Sequence, residues 1–277
     1  MSTIVSSLTE DLLMEVLSRL PIKYIVQFIK NELCGVVMGF GYDGVCEKYK
    51  LVRIEYFYDL DGSDFMTDFN RVEVKVYTLG SNVWRLVDDT PCCYIGNINR
   101  VAHVDGVLYW IGLRGVGVGS WKSIVSFDLR NEKFGEVSWP AFEDRSYRDL
   151  GLGVLRGSLC TFSFHLERVD IWMIKNYGVK GTWTKHFSIA RSTKHLEPLF
   201  LLKSGEILLQ MGLGSLLFYD PASDLTKAPS VSGIPDRFRT STYVESLVPI
   251  ASLMGMPGNS LATTISTGIK NKLHEEK

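Results

Sequence analysis

VDGVLYWIG, residues 104–112, decides how this chain is read. With the preceding Arg100 to His103 it forms a β-hairpin signature: two apolar runs joined at Asp105-Gly106, a dipeptide suited to a tight turn. The unit returns as VLRGSLCTF at 154–162 and LLKSGEILL at 201–209, so the turn glycines Gly106, Gly157 and Gly205 lie about 50 residues apart. A second unit alternates with it, an apolar strand, a turn and another apolar or aromatic strand: VYTLGSNVW, SFDLRNEKFGEV, IWMIKNYGVKGTWTKHF and LFYDPASDLTKAP. Two hairpins per period make four strands, the blade of a kelch-like β-propeller. Successive blades then cover one another's apolar faces.

Outward from these units the pattern continues. MGFGYDGVCEKYKLVRI, residues 38–54, predicts a hairpin turning between Asp43 and Lys48, and TSTYVESLVPI, residues 240–250, predicts a final strand. The β domain is therefore expected over 36–250, with about three blades' worth of sequence, below the usual four to eight of a closed ring. Such a partial propeller would expose two strand edges. Residues 251–277 are rich in Ser, Thr, Gly and Asn and read as a disordered tail.

Residues 1–32 differ in character. Leu8, Leu12, Leu13, Val16, Leu17 and Leu20 recur at three- and four-residue steps, one apolar face of a helix. Ser7 and Glu10 form a capping-box pattern, and Asp11 and Arg19 sit at the ends the helix dipole favours. Pro21 ends this helix and opens a second, Ile22 to Lys30, with Ile22, Ile25, Val26, Phe28 and Ile29. Helices this short draw their stability from contacts with something else. Two partners are open: the chain's own β domain, or another protein for which the segment is a handle.

The 277 residues are 45% hydrophobic and 22% charged, with a net charge of −1. That composition is globular and argues against a nucleic-acid groove, which needs a basic surface. No apolar run is long enough for a membrane helix, and acidic residues stand where a signal peptide would be basic. Five cysteines, none in a C-x-x-C pair and most in apolar surroundings, predict reduced, buried thiols in the cytoplasm and nucleus.

Two resemblances follow from these residues. Leu8, Asp11, Leu12, Glu15, Val16, Leu17, Arg19, Leu20, Pro21, Lys23, Ile25 and Phe28 match the first two helices of an F-box. The family's third helix has no counterpart, since Lys30 runs directly into NELCGVVMGFGYD. The β region resembles the F-box-associated interaction domain of plant kelch-repeat F-box proteins of the constitutive-expresser-of-pathogenesis-related-genes type. The match lies in Gly39-Phe40-Gly41-Tyr42-Asp43, Tyr49 to Val52, Val76 to Leu79 with Asn82 and Trp84-Arg85, Val104 to Trp110, and Ser126 to Leu129 with Glu132 to Phe134. These resemblances imply a non-catalytic substrate receptor of a Skp–cullin–F-box ubiquitin ligase. Leu8, Leu12, Val16, Leu17, Leu20, Pro21, Ile25 and Phe28 would contact a Skp-type adaptor, and through it a cullin. The β domain would hold a protein substrate, with immune receptors as candidates. One alternative is an isoform whose shortened F-box no longer binds the adaptor and which competes for substrate. Another is a propeller enzyme.

Catalytic and ligand patterns are sparse. His103, His165, His186, His195 and His274 lack metal-ligand spacing, so no metal or cofactor is expected. Gly115, Gly117 and Gly119 read as an inter-strand loop rather than a phosphate cradle. The tryptophans, Trp121 among them, read as blade-to-blade core. The loops Leu113 to Lys122 and Phe142 to Asp149 are the better candidates for touching a partner.

Overall fold

The computed structural model describes residues 33–58, 69–95, 101–114, 121–142, 149–175, 182–190, 196–212 and 214–228. The two helices of the 1–32 segment, the 240–250 strand and the 251–277 tail lie outside them.

Among the described residues, four antiparallel sheets follow one another along the chain. Sheet 1 holds β1 (Leu33–Asp43), β2 (Lys48–Tyr58), β3 (Phe69–Thr78) and β4 (Trp84–Val87). In sheet 2, β5 (Tyr94–Ile95) and β6 (Ala102–Val104) form one interrupted first strand, both pairing β7 (Val107–Arg114). Then come β8 (Trp121–Asp128) and β9 (Lys133–Val137). Sheet 3 comprises β10 (Asp149–Leu155), β11 (Ser158–Phe164), β12 (Arg168–Lys175) and β13 (Thr182–Ala190). Sheet 4 comprises β14 (Leu196–Leu201), β15 (Ile207–Met211), β16 (Ser215–Asp220) and β17 (Leu225–Lys227). The expectation of about three blades is corrected to four sheets among the described residues, three of four strands and one of five. Both hairpins of sheet 1 were expected, but the opening one was not counted in the first repeat unit because it turns through 44–47 instead of an Asp-Gly-like pair.

The sheets stack face to face, and strand alternation explains how. In β7, Leu108 and Trp110 point toward sheet 1, while Tyr109 and Ile111 point toward sheet 3. Val52, Ile54, Tyr56, Val74 and Val76 meet Leu108, Trp110, Val125 and Phe127 between sheets 1 and 2. Ala102, Val104 and Ile124 meet Leu152, Leu159 and Ile174 between sheets 2 and 3. Cys160, Phe162, Val169 and Ile171 meet Leu201, Ile207 and Leu209 between sheets 3 and 4. The first strands run along one line of contact: β1 against β7, β6 and β7 against β10, and β10 against β14. This is the radial blade packing of a propeller.

The far face of sheet 1 buries Leu51, Arg53 and Glu55 of β2 and carries charge. Arg53 Nη2 and Lys75 Nζ each lie 2.6 Å from the Glu55 carboxylate. Pairing of this kind is what allows ionised groups to leave water.

Glycines set how closely the first two sheets approach. A Cβ at Gly39 would lie 2.5 Å from Trp110 Cζ2 and 2.8 Å from Leu108 Cδ1. One at Gly41 would lie 2.6 Å from His103 Cδ2 and 2.8 Å from Leu129 Cδ1. Gly39→Ala is therefore expected to cost about 1–3 kcal/mol through overpacking. Urea denaturation measures this, and an unchanged midpoint would contradict the packing described.

The connections segregate to two rims. One rim carries the turns 44–47, 79–83, 105–106, 129–132, 156–157, 202–206 and 221–224. Glu47, Asn82, Asp105, Glu132, Arg156 and Asp224, all in these turns, adopt φ between 48° and 55°. Asp105-Gly106 and Arg156-Gly157 are positive at both residues, the type I′ geometry of tight hairpins. The opposite rim carries the described connections 88–93 and 165–167, with the strand ends at Tyr58, Phe69, Arg114, Trp121, Asp149, Ala190 and Leu196.

Candidate functional site

The tight-turn rim is built by aspartates. Asp43 Oδ1 accepts the Val45 N–H (3.0 Å), Asp128 Oδ1 accepts those of Arg130 (2.8 Å) and Asn131 (3.0 Å), and Asp220 Oδ1 accepts that of Ala222 (2.9 Å). Each side chain closes its own turn. Between sheets 1 and 2 these turns enclose a cleft of about 590 Å³, lined by Tyr42, Asp43, Val45, His103, Asp105 and Arg130 among others.

One wall of the cleft is fixed by an ion network. Lys50 Nζ donates to Leu129 O (2.5 Å) and lies 3.0 Å from Asp43 Oδ2 and 3.3 Å from Glu132 Oε1, which also meets Arg85 Nη2 at 2.5 Å. Burial alone would push Asp43 up, but hydrogen bonds from Cys46, Lys50 and turn N–H groups hold it well below the usual carboxylate range. Burial would lower Lys50, and Asp43 and Glu132 raise it instead. Burial keeps His103 below its ordinary value, outweighing the nearby Asp105. With Asp43 and Asp128 committed to structure, the cleft offers Tyr42, His103, Asp105 and Arg130 to a polar group.

Sheet 3 brings together a trio with catalytic residue types. His165 Nε2 lies 3.2 Å from Ser163 Oγ and 3.5 Å from Asp170 Oδ2. One ring nitrogen faces both partners, whereas a relay needs the carboxylate on one nitrogen and the hydroxyl on the other. Ser163 is 0% exposed, and Ser188 Oγ also donates to Asp170 at 2.6 Å. The cluster satisfies buried polar groups and presents no nucleophile to a substrate.

The long-loop rim offers different chemistry. Leu113 and Lys122, at the feet of the 115–120 connection, belong to β7 and β8, and Asp149, after 143–148, opens β10. A Lys122–Asp149 ion pair joins the two sets of feet. Trp139 Nε1 donates to Lys122 O (2.8 Å), Trp183 Nε1 donates to Ser138 O (2.6 Å), and Phe142 packs edge-on to Trp172 with centroids 5.7 Å apart. The base of both loops is thus held rigidly. Trp121 is 56% exposed, Leu166 on the 165–167 turn 58%, and Leu113 39%. The expectation that Trp121 belongs to the blade core is corrected: it pairs with Arg114 at the rim end of the β7–β8 hairpin, past the last core position.

The sequence-predicted adaptor residues, Leu8, Leu12, Val16, Leu17, Leu20, Pro21, Ile25 and Phe28, lie outside the described residues. Reasoning from sequence missed the Asp43–Lys50–Glu132–Arg85 network. Its four members all stood among the residues that carry the resemblance, but nothing in their spacing says that they meet. The expectation of buried thiols is also corrected: Cys160 is buried, whereas Cys46 and Cys92, both in connections between strands, are exposed. Among the described residues no helix is long and apolar enough to cross a membrane, and no cluster of three or more His, Cys, Asp or Glu could hold a metal ion.

Among the described residues, four consecutive antiparallel sheets stacked face to face, with tight turns on one rim and longer connections on the other, define a β-propeller domain. Residues 21–250 match the F-box associated beta propeller domain, and the chain belongs to that family. Its relatives include plant F-box proteins. It is 29% identical to the F-box protein CPR1 of Arabidopsis thaliana, over 77% of this chain and 56% of the relative. It is 28% identical to the F-box protein At3g07870 (76% and 59%) and 26% identical to the F-box/kelch-repeat protein At3g23880 (79% and 57%), both also from Arabidopsis thaliana. The chain spans little more than half the length of these relatives.

Proposed function

We propose that this chain is the substrate-recognition subunit of a Skp–cullin–F-box ubiquitin ligase and has no catalytic site of its own. The observation that carries the reading is the family match over 21–250, directly preceded by the F-box-like residues Leu8 to Pro21. In this reading the helices of 1–32 dock on a Skp-type adaptor through Leu8, Leu12, Val16, Leu17, Leu20, Pro21, Ile25 and Phe28. The propeller holds a protein substrate on its long-loop rim, where Trp121, Leu113 and Leu166 supply exposed apolar contacts on a rigid base. Exposed aromatics are the residue type that anchors protein interfaces. Ubiquitin transfer follows from proximity, the chemistry residing in other subunits. The complex acts in the cytoplasm and nucleus.

A second reading is favoured by one observation: β1 begins at Leu33, leaving no room after Lys30 for the third F-box helix. In that case the chain binds substrate without the adaptor and competes with complete receptors.

A pull-down with a Skp-type adaptor separates the two. The first reading expects capture by the chain and loss of at least about tenfold in affinity in a Leu12→Asp/Leu17→Asp double variant, because two charges would enter an apolar contact. Absence of capture by either protein moves the assignment to the competing form.

A further inference from the structure

The cleft between sheets 1 and 2 carries two charges that the fold does not use. Asp43, in its lining, is tied to Lys50, Cys46 and its own turn. Asp128 accepts the N–H groups of Arg130 and Asn131 and, at 2.9 Å, Asn131 Nδ2. The Asp105 carboxylate and the Arg130 guanidinium line the same cleft. Both residues are exposed, and neither side chain has a hydrogen-bond or ion-pair partner among the described residues. Asp105 differs in this from the other rim aspartates. Asp43, Asp128 and Asp220 close their turns, and Asp224 accepts the Tyr219 hydroxyl at 2.9 Å. The Asp105-Gly106 turn needs no such cap, because φ of 48° and 77° already gives it the two-residue hairpin geometry. The two turns are fixed side by side, since the Leu129 N–H donates to Gly106 O at 2.9 Å. Burial holds His103 below its ordinary value, so the ring is neutral near neutral pH and adds no third free charge. Val45, 62% exposed, gives the lip an apolar contact.

We propose that this cleft binds a small zwitterion of the amino-acid or dipeptide class, its ammonium on Asp105 and its carboxylate on Arg130. A carboxylate and a guanidinium on adjoining turns, not paired with each other, select against a single ion. An anion drawn to Arg130 is repelled by Asp105, and a cation drawn to Asp105 is repelled by Arg130. A ligand with both charges makes a charge-assisted hydrogen bond at each end. The volume agrees, since about 590 Å³ falls in the range of small-molecule sites, about 300–1,000 Å³. An aliphatic side chain on the ligand would lie against Val45 at the lip. The site is on the tight-turn rim, away from the exposed Trp121. It stands on the cleft alone and does not require the ligase reading.

The test titrates the full chain at low salt with leucine and with leucyl-alanine, followed by calorimetry. The better of the two probes is expected to bind with a dissociation constant on the order of 1 mM, ordinary for a ligand of about a dozen heavy atoms. Which probe binds better tells whether a free amino acid or a dipeptide supplies the zwitterion. Acetylating its amine or amidating its carboxylate should each weaken binding about fivefold, the upper end for a partly exposed ion pair. Asp105→Asn keeps the turn, because asparagine accepts left-handed backbone, and should weaken the unblocked probe by the same factor. Acetylation should then cost nothing further in Asp105→Asn, and amidation nothing further in Arg130→Gln. A merely structural role for either residue would not cancel these costs pairwise. No saturable binding of either probe at about ten times the expected constant, blocked probes that bind as the parents do, or variants that leave both blocking costs intact would each overturn the proposal.

Discussion

Trp110→Ala is expected to lower the unfolding free energy by about 3–5 kcal/mol, among the largest losses a single truncation gives. Trp110 is fully buried on the β7 face that meets sheet 1. Gly39 lies directly beneath its ring, and no side chain there can move in to fill the void. The indole Nε1 has no hydrogen-bond partner among the described residues, so the loss is one of packing alone. Trp110→Phe should accordingly cost much less, since it keeps most of the ring and removes an unpaired donor. Urea unfolding of the two variants checks the argument, and a loss below about 1 kcal/mol for the alanine would sink it.

Lys50→Met should be nearly as damaging, at about 3–5 kcal/mol, because it leaves Asp43 buried without its cation. It also removes the donor to Leu129 O and half of the pairing at Glu132. The pH dependence follows from the directions of shift. Asp43 and Glu132 are held below their ordinary values in the folded chain. Their contribution is present above the unfolded value of about 4 and is lost as pH falls through the folded one. Lys50 is held above its ordinary value, so its contribution is complete below about 10.4 and fades as pH rises through the folded one. The parent protein is therefore stabilised by this network between these limits. The variant should lose that plateau, and its acid transition should move to higher pH. Thermal melts from pH 3 to pH 10 would show it, and parallel profiles for the two proteins would refute it.

Much of this was legible in the chain, for a local reason. Turn chemistry and two-residue periodicity are written within ten residues, so the hairpins at Asp105-Gly106, Arg156-Gly157 and Ser204-Gly205 could be placed from sequence. The 44–47 turn lacks that signature, so its hairpin was read but not joined with the 76–84 hairpin into a blade. Pairings across sheets were not legible, because Lys50 and Leu129 are 79 residues apart and meet only once the sheets stack. Gly39 and Gly41 stood out as a motif, yet the motif does not say that Trp110 and His103 occupy the space their side chains would have taken. Trp121 was misjudged because strand membership was taken for burial, although the ends of a β-hairpin protrude beyond the core.

The two rims differ in how much change they can absorb. Six side-chain-bearing residues hold left-handed backbone in the tight turns, and aspartates there are tied to specific N–H groups, so an insertion on that side must rebuild a turn and the register of two strands. The connections of the opposite rim leave the ends of finished strands, and lengthening them adds closure entropy that grows only slowly with length. Novelty can therefore accumulate on one side of the molecule while the other stays a fixed chassis. A lineage of such domains could acquire new specificities by rewriting a few exposed segments, with no blade refolded to accommodate them.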